Sequence, residues 1–204
     1  MTKSGPDFEL ETGIVARLGS TTRVCGVDEA GRGPLAGPVL AAAVVLDAKN
    51  IPNGLNDSKK LSPAARIRMF TELQAAAWIG VGAASVREID HLNILRANDL
   101  AMRRAIERLP FSVDWALIDG NRSPPDLPCR ADAIVKGDGR CLSIAAASIV
   151  AKVIRDRIMD KLAARHPVFG WSRNAGYPTA GHRAAIAEHG VSAHHRRSFR
   201  MIHR

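Results

Sequence analysis

Short apolar, β-rich runs alternate along the chain with longer stretches of helical pattern, the ordering of an α/β domain. The first run covers residues 23–27 and the second 39–46, with only the turn-rich GRGPLAGP between them, so the two are expected to pair as a hairpin. A helix is predicted from Ser62-Pro63, where serine can cap and proline can occupy the first turn, to about Ala76. A strand follows over 78–86, then a long helix from Asp90 or His91 to Leu109, ended by Pro110. A short buried strand over 115–118 leads into Asp119-Gly120. After the proline-rich loop RSPPDLP comes a strand over 133–135. The alanine-rich stretch 143–164 reads as a helix stopping near His166-Pro167, and one more short helix is expected over 183–189. Residues 1–20 read as a variable segment before the first strand, and no internal repeat is present.

Composition narrows the class. The 204 residues are 46% hydrophobic and 24% charged, the balance of one ordinary globular domain able to bury a full core. No apolar run approaches the roughly 20 residues of a membrane span, and MTKSGPDFELETG lacks an apolar signal core. A soluble, unexported, cytoplasmic protein is expected, with monomer as the default. Cys25, Cys129 and Cys141 are odd in number and form no CxxC, which argues against a disulfide framework or a zinc ribbon. Basic residues outnumber acidic ones 29 to 20, a formal charge of +9. Such an excess favours a polyanionic partner such as nucleic acid, although solubility alone accounts for it as well.

Candidate chemistry begins in VCGVDEAGRGPLAGP. Neighbours on a regular strand face opposite ways, so Asp28 and Glu29 can serve one site only if the strand stops there. The glycines at 31, 33 and 37 and prolines at 34 and 38 suggest such a stop, with backbone N–H groups left free to meet a ligand. GRGPLAG matches neither the GxxxxGK[ST] nor the GxGxxG phosphate loop. Taken alone, the acidic pair reads as a tight turn with two solvated acids. Asp119 follows the apolar WALI and precedes glycine, and Asp138 sits in KGDGR, again flanked by glycine. Carboxylates at several strand ends suggest one site at one sheet edge. Four such groups repel unless cations hold them, and oxygen ligands favour Mg²⁺ or Mn²⁺. A pair of these ions about 4 Å apart is suited to phosphodiester cleavage. His182, His189, His194 and His195 cluster in the sequence, but their spacings match no tight ligand pattern.

The segments DEAGRGPLAGPV, LNDSKKLS, IDGN, VKGD, IAAASIVAKVIRD, GYPTAGH and HRRSF occur in this order, and together they resemble the ribonuclease HII family over nearly the whole chain, from about residue 24 to 199. The resemblance implies an RNase H-like fold, a central mixed sheet flanked by helices with a helical C-terminal segment. It implies cleavage of the RNA strand of RNA–DNA hybrids and nicking at ribonucleotides embedded in duplex DNA. Asp28, Glu29, Asp119 and Asp138 become the metal-binding carboxylates by motif match. The backbone of Gly31, Arg32 and Gly33 becomes the reader of the 2′-hydroxyl, the group that separates RNA from DNA. Tyr177, the only tyrosine, is implied to pack on the sugar beyond the junction. Lys59, Lys152 and Ser148 are implied phosphate contacts, the last two sharing a helix face, and Lys60 matches in part. Arg196 and Arg197 read as tail cations that attract phosphate or aid solubility. A proline that commonly follows the glycine of GVSAHHRRSF is missing, and residues 201–204 carry no recognisable clamp-binding peptide. A noncatalytic hybrid-binding protein and a DNA nuclease of the same superfold are the competing readings. The acidic set argues against the first, GRG with Tyr177 against the second.

Overall fold

The structure, a computed structural model, describes residues 5–200; residues 1–4 and 201–204, including the tail stretch considered above, lie outside the described residues. Five strands form one mixed sheet: β1 (Val24–Ala30), β2 (Val39–Leu46), β3 (Ala77–Ala84), β4 (Trp115–Asp119) and β5 (Arg130–Ile134). Their order is β3-β2-β1-β4-β5, with β1–β2 and β2–β3 antiparallel and β1–β4 and β4–β5 parallel. The expected hairpin is therefore present. The RNase H-like architecture is borne out.

The described residues form six α-helices: α1 (Glu9–Leu18), α2 (Pro63–Ala76), α3 (Val86–Glu107) and α4 (Leu142–Arg165) pack on the sheet, and α5 (Trp171–Asn174) and α6 (Ala180–His189) follow in the C-terminal segment. On one face, Cys25, Val27, Ala41 and Ala43 pack against Ala97, Ala101 and Ala105 of α3. On the other, Leu40, Ala42 and Val44 meet Met69, Phe70 and Leu73 of α2 and the alanine row of α4. Small residues set how closely the layers approach. A side chain at Gly80 or Gly82 would strike the α3 backbone, and one at Gly26 would strike the backbone of Ser143 at the start of α4.

Several boundaries differ from the sequence expectation, each for a local reason. The helix expected from 90 or 91 begins at Val86, because Ser85 and Glu88 close a capping box, the Ser85 hydroxyl accepting from Glu88 N–H while Glu88 accepts from Ser85 N–H. The strand expected to reach 86 ends at Ala84 accordingly. Asn93 kinks α3 with φ 67°, and its side chain accepts from Leu95 and Arg96 N–H to restart the helix. The fifth strand runs earlier than the expected 133–135, and α6 starts at Ala180 behind the Thr179 cap rather than at 183.

The segment treated as variable contains an ordered helix. The buried Glu11 of α1 accepts hydrogen bonds from Ser143 N–H at 2.9 Å and from the Cys141 thiol at 3.1 Å. It thereby satisfies an otherwise unpaired N–H in the first turn of α4. Ile14 joins Val24, Leu117 and Ile144 in the same cluster. The three cysteines are free thiols, and no helix among the described residues is long and apolar enough to cross a membrane.

Candidate active site

The carboxylates gather where β1 and β4, which run parallel, reach their C-terminal ends. The expected strand stop after Val27 does not occur: β1 continues through Ala30, with Asp28 opposite Ala42 and Glu29 opposite Ala41. Strand alternation therefore holds. Asp28 shares the α4 face with Ala42, whereas Glu29 shares the α3 face with Ala41.

This sorting shows in the geometry. One carboxylate oxygen from each of Asp28, Asp119 and Asp138 lies within 4.8 Å of the others, the one group among the described residues shaped to hold a metal ion. Asp119 ends β4, and its Oδ1 accepts Gly137 N–H at 2.7 Å, tying it to the turn that carries Asp138. That turn, Gly137–Gly139, is entered through Lys136 in a left-handed conformation. Glu29 stands apart from the three, with Arg32 Nη1 3.2 Å from its Oε1. It lines a second, smaller cavity of about 80 Å³ together with Asn98, Asp99, Arg122 and Asp119. Asp119 and Glu29 both border the two spaces.

The electrostatics fit a cation. Burial, then Glu29 and Asp119, push the Asp28 carboxyl well above its ordinary range. Burial and then Asp138 raise Asp119. Burial raises Glu29, against the pull of the Arg32 guanidinium and the Asn98 side chain. Crowded carboxylates with hard oxygen donors and no thiol or imidazole among them suit Mg²⁺ or Mn²⁺.

Around this group lies a cavity of about 310 Å³ whose walls include Gly31, Arg32, Gly33, Lys59, Ser148, Lys152 and Tyr177. The structure thus brings every sequence-predicted site residue except Asp138 and the partly matching Lys60 into its lining, and Lys59 Nζ reaches Asp138 Oδ2 at 3.2 Å from the cavity wall. Burial works against the Lys59 ammonium, and Asp138 more than offsets it, raising its pKa. Ser148 is buried, its hydroxyl accepting Ser58 N–H at 3.1 Å and donating to the Ala145 carbonyl. Its contact is with the loop that presents Lys59. Lys152 pairs with Asp156 at 2.7 Å.

The glycines of GRG differ from one another. Gly31 has φ 96°, and a side chain there would collide with the Arg155 guanidinium, so the fold itself demands glycine. At Gly33 a Cβ would sit 3.5 Å from the Tyr177 ring, an ordinary contact, with no unusual φ. Tyr177 is 46% exposed, the ring open to the cavity side.

Residues that sequence reasoning placed elsewhere complete the site. Arg196, read as a solvated tail cation, is fully buried and donates to the carbonyls of Gly31, Arg32 and Gly37 at 2.6, 2.9 and 2.9 Å. Arg197 follows it at the surface, where its backbone N–H donates to Asp90. His182 and His195 are buried too, with ring nitrogens 3.1 Å apart. Trp171 Nε1–H donates to His182 Nε2 at 3.0 Å, leaving His182 Nδ1–H for the Tyr177 carbonyl at 2.9 Å. Asn98, 5% exposed and reaching Glu29 from α3, carried no signal beyond its place in a helical pattern.

The ribonuclease HII family model matches residues 25–202. A ribonuclease HII of Ruegeria pomeroyi is 58% identical over 199 residues, covering 98% of this chain and 84% of that one. The crystal structure of the ribonuclease H2 from Pyrococcus horikoshii superposes with a TM-score of 0.74 at 29% identity, over 89% of this chain and 96% of that one. That of Bst-RNase HIII in complex with Mn²⁺ shares the fold, with a TM-score of 0.73 at 19% identity over 89% and 68%. Motif order, sheet topology and the match along nearly the whole sequence agree, and the chain belongs to the ribonuclease HII family.

Proposed function

We propose that this chain hydrolyses the RNA strand of RNA–DNA hybrids and nicks duplex DNA on the 5′ side of an embedded ribonucleotide, giving 3′-hydroxyl and 5′-phosphate ends. The observation that carries the reading is the convergence of Asp28, Asp119 and Asp138, with Asp28 and Asp119 lining the same cavity as the GRG backbone. Family membership supports the same substrate class.

Asp28, Asp119 and Asp138 would hold divalent metal, Mg²⁺ or Mn²⁺, with Glu29 completing a pair of ions from the other sheet face. Such ions supply Lewis-acid activation of water and neutralise charge at phosphorus. The remaining work belongs to side chains and backbone. Lys59, 3.2 Å from Asp138 and partly open to the cavity, neutralises phosphate oxygen next to the reacting centre. The N–H groups of the GRG segment meet the 2′-hydroxyl, and the Tyr177 ring packs on the following deoxyribose. Lys152 contacts the flanking phosphate, while Ser148 holds the Lys59 loop at its height. Water oxygen bonds to phosphorus, the bond to the 3′-oxygen breaks, and that oxygen leaves as the 3′-hydroxyl after taking a proton.

Asp119→Asn is the test. Cleavage of a hybrid should fall at least a hundredfold while hybrid binding in chelator persists. Full activity of the variant would sink the mechanism, and wild-type protein that binds hybrids but cuts none in Mg²⁺ or Mn²⁺ would mean a noncatalytic hybrid-binding protein.

A further inference from the structure

Arg155 and Arg196 are 1% and 0% exposed. Every hydrogen bond they donate among the described residues ends on a backbone carbonyl: Arg155 on Ala36, Pro38 and Ala175, Arg196 on Gly31, Arg32 and Gly37. Burying a guanidinium without a carboxylate is expensive, and burial followed by the neighbouring Arg155 pushes Arg196 down to about 9. Such an arrangement persists where backbone geometry is what it secures.

The geometry follows from the peptide bond. In a trans peptide the C=O and the next N–H point in opposite directions, and none of the peptide bonds here is cis. Gly31 O shares a peptide with Arg32 N–H, and Arg32 O shares one with Gly33 N–H. By drawing both carbonyls toward itself, Arg196 turns both N–H groups the opposite way; neither has an acceptor among the described residues, and Arg32 and Gly33 both line the cavity shared with Asp28 and Asp119. Arg155 fills the space that a side chain at Gly31 would need, and it ties the loop to Ala175, two residues before Tyr177.

We propose that Arg196 is a positioning residue for 2′-hydroxyl recognition, aiming the Arg32 and Gly33 N–H groups at the nucleotide by holding the carbonyls of Gly31 and Arg32. The assignment rests on GRG being the reader of the 2′-hydroxyl. Lysine at this position keeps the charge but loses the planar fork that reaches several carbonyls at once.

The test measures, in chelator, binding of a DNA duplex with one ribonucleotide against its all-DNA counterpart, for wild type and Arg196→Lys. The ribonucleotide preference should fall about tenfold in the variant, the size of one well-aimed hydrogen bond, whereas a merely structural defect would weaken both duplexes equally and keep their ratio. A wild type without preference would overturn the GRG reading itself. A preferring wild type with an unchanged ratio in the folded variant would overturn only the role of Arg196. Should the variant not fold, NMR on wild type decides: the Arg196 Nε–H and the Arg32 and Gly33 amides should shift on adding the ribonucleotide duplex, and unmoved signals would refute the proposal.

Discussion

Replacing Asp119 by asparagine should make the metal-free protein more stable while removing its response to metal. Oxygens of Asp28, Asp119 and Asp138 lie within 4.8 Å of one another. At an effective dielectric of about 20, two full charges at that separation repel by roughly 3.5 kcal/mol. The working figure is smaller: burial, then Glu29 and Asp119, push the Asp28 carboxyl well above its ordinary range, and Asp119 is partly exposed, so solvent screens it. Asparagine keeps an oxygen to accept Gly137 N–H and gives up attraction to Lys59. The net gain is about 1–3 kcal/mol, or roughly 2–12 °C in melting temperature for a domain of this size. Thermal melts in chelator and in Mn²⁺ would check it. Wild type should gain about 2.7 kcal/mol at a hundredfold excess over Kd, and the variant far less. A variant melting below wild type in chelator, or an equal metal-induced rise in both, would refute the view that these carboxylates are held in tension for a cation.

Three further outcomes follow from individual contacts. Gly31→Ala should destabilise the fold by more than about 2 kcal/mol through its positive φ and the Arg155 collision, while Gly33→Ala should melt like wild type and lose cleavage at single ribonucleotides; equal melts for the two would remove the distinction. Glu11→Ala should lower stability by about 1–3 kcal/mol in denaturant titrations, since it leaves Ser143 N–H and the Cys141 thiol without their buried acceptor; no change would mean that α1 does not anchor α4. Burial, then His182, pushes His195 down to about 4, so the unfolded chain takes up a proton first as pH falls and stability should drop from about pH 6.5 toward 4. His195→Gln should flatten that part of the stability curve, and an unchanged slope would exclude His195 as its source.

Order and type of the main strands and helices were legible because apolar runs and periodic stretches alternate cleanly, with Ser62-Pro63 and Pro110 marking ends. Helix α1 was not, since ELETGIVARL buries its carboxylate Glu11 as well as Ile14, and a buried acid does not announce itself in a polarity pattern. The motif carboxylates were legible as strand-end acids, but their division between two sheet faces was not. It depends on β1 continuing through Ala30, across a pairing with β2 that the turn residues after it do not reveal. Arg196 was misplaced for a related reason. Its acceptors Gly31, Arg32 and Gly37 are about 160 residues away in sequence, and an arginine beside two histidines and another arginine looks like a solvated tail.

The most direct measurement maps the cut on an end-labelled DNA duplex carrying one ribonucleotide, beside an all-DNA duplex, in Mn²⁺, Mg²⁺ and chelator. A metal-dependent nick immediately 5′ of the ribonucleotide, with the all-DNA duplex intact, is the predicted result. Cutting of both duplexes alike, or binding to the first with no cut in either metal, would contradict the account of a carboxylate metal site paired with a backbone reader of the 2′-hydroxyl.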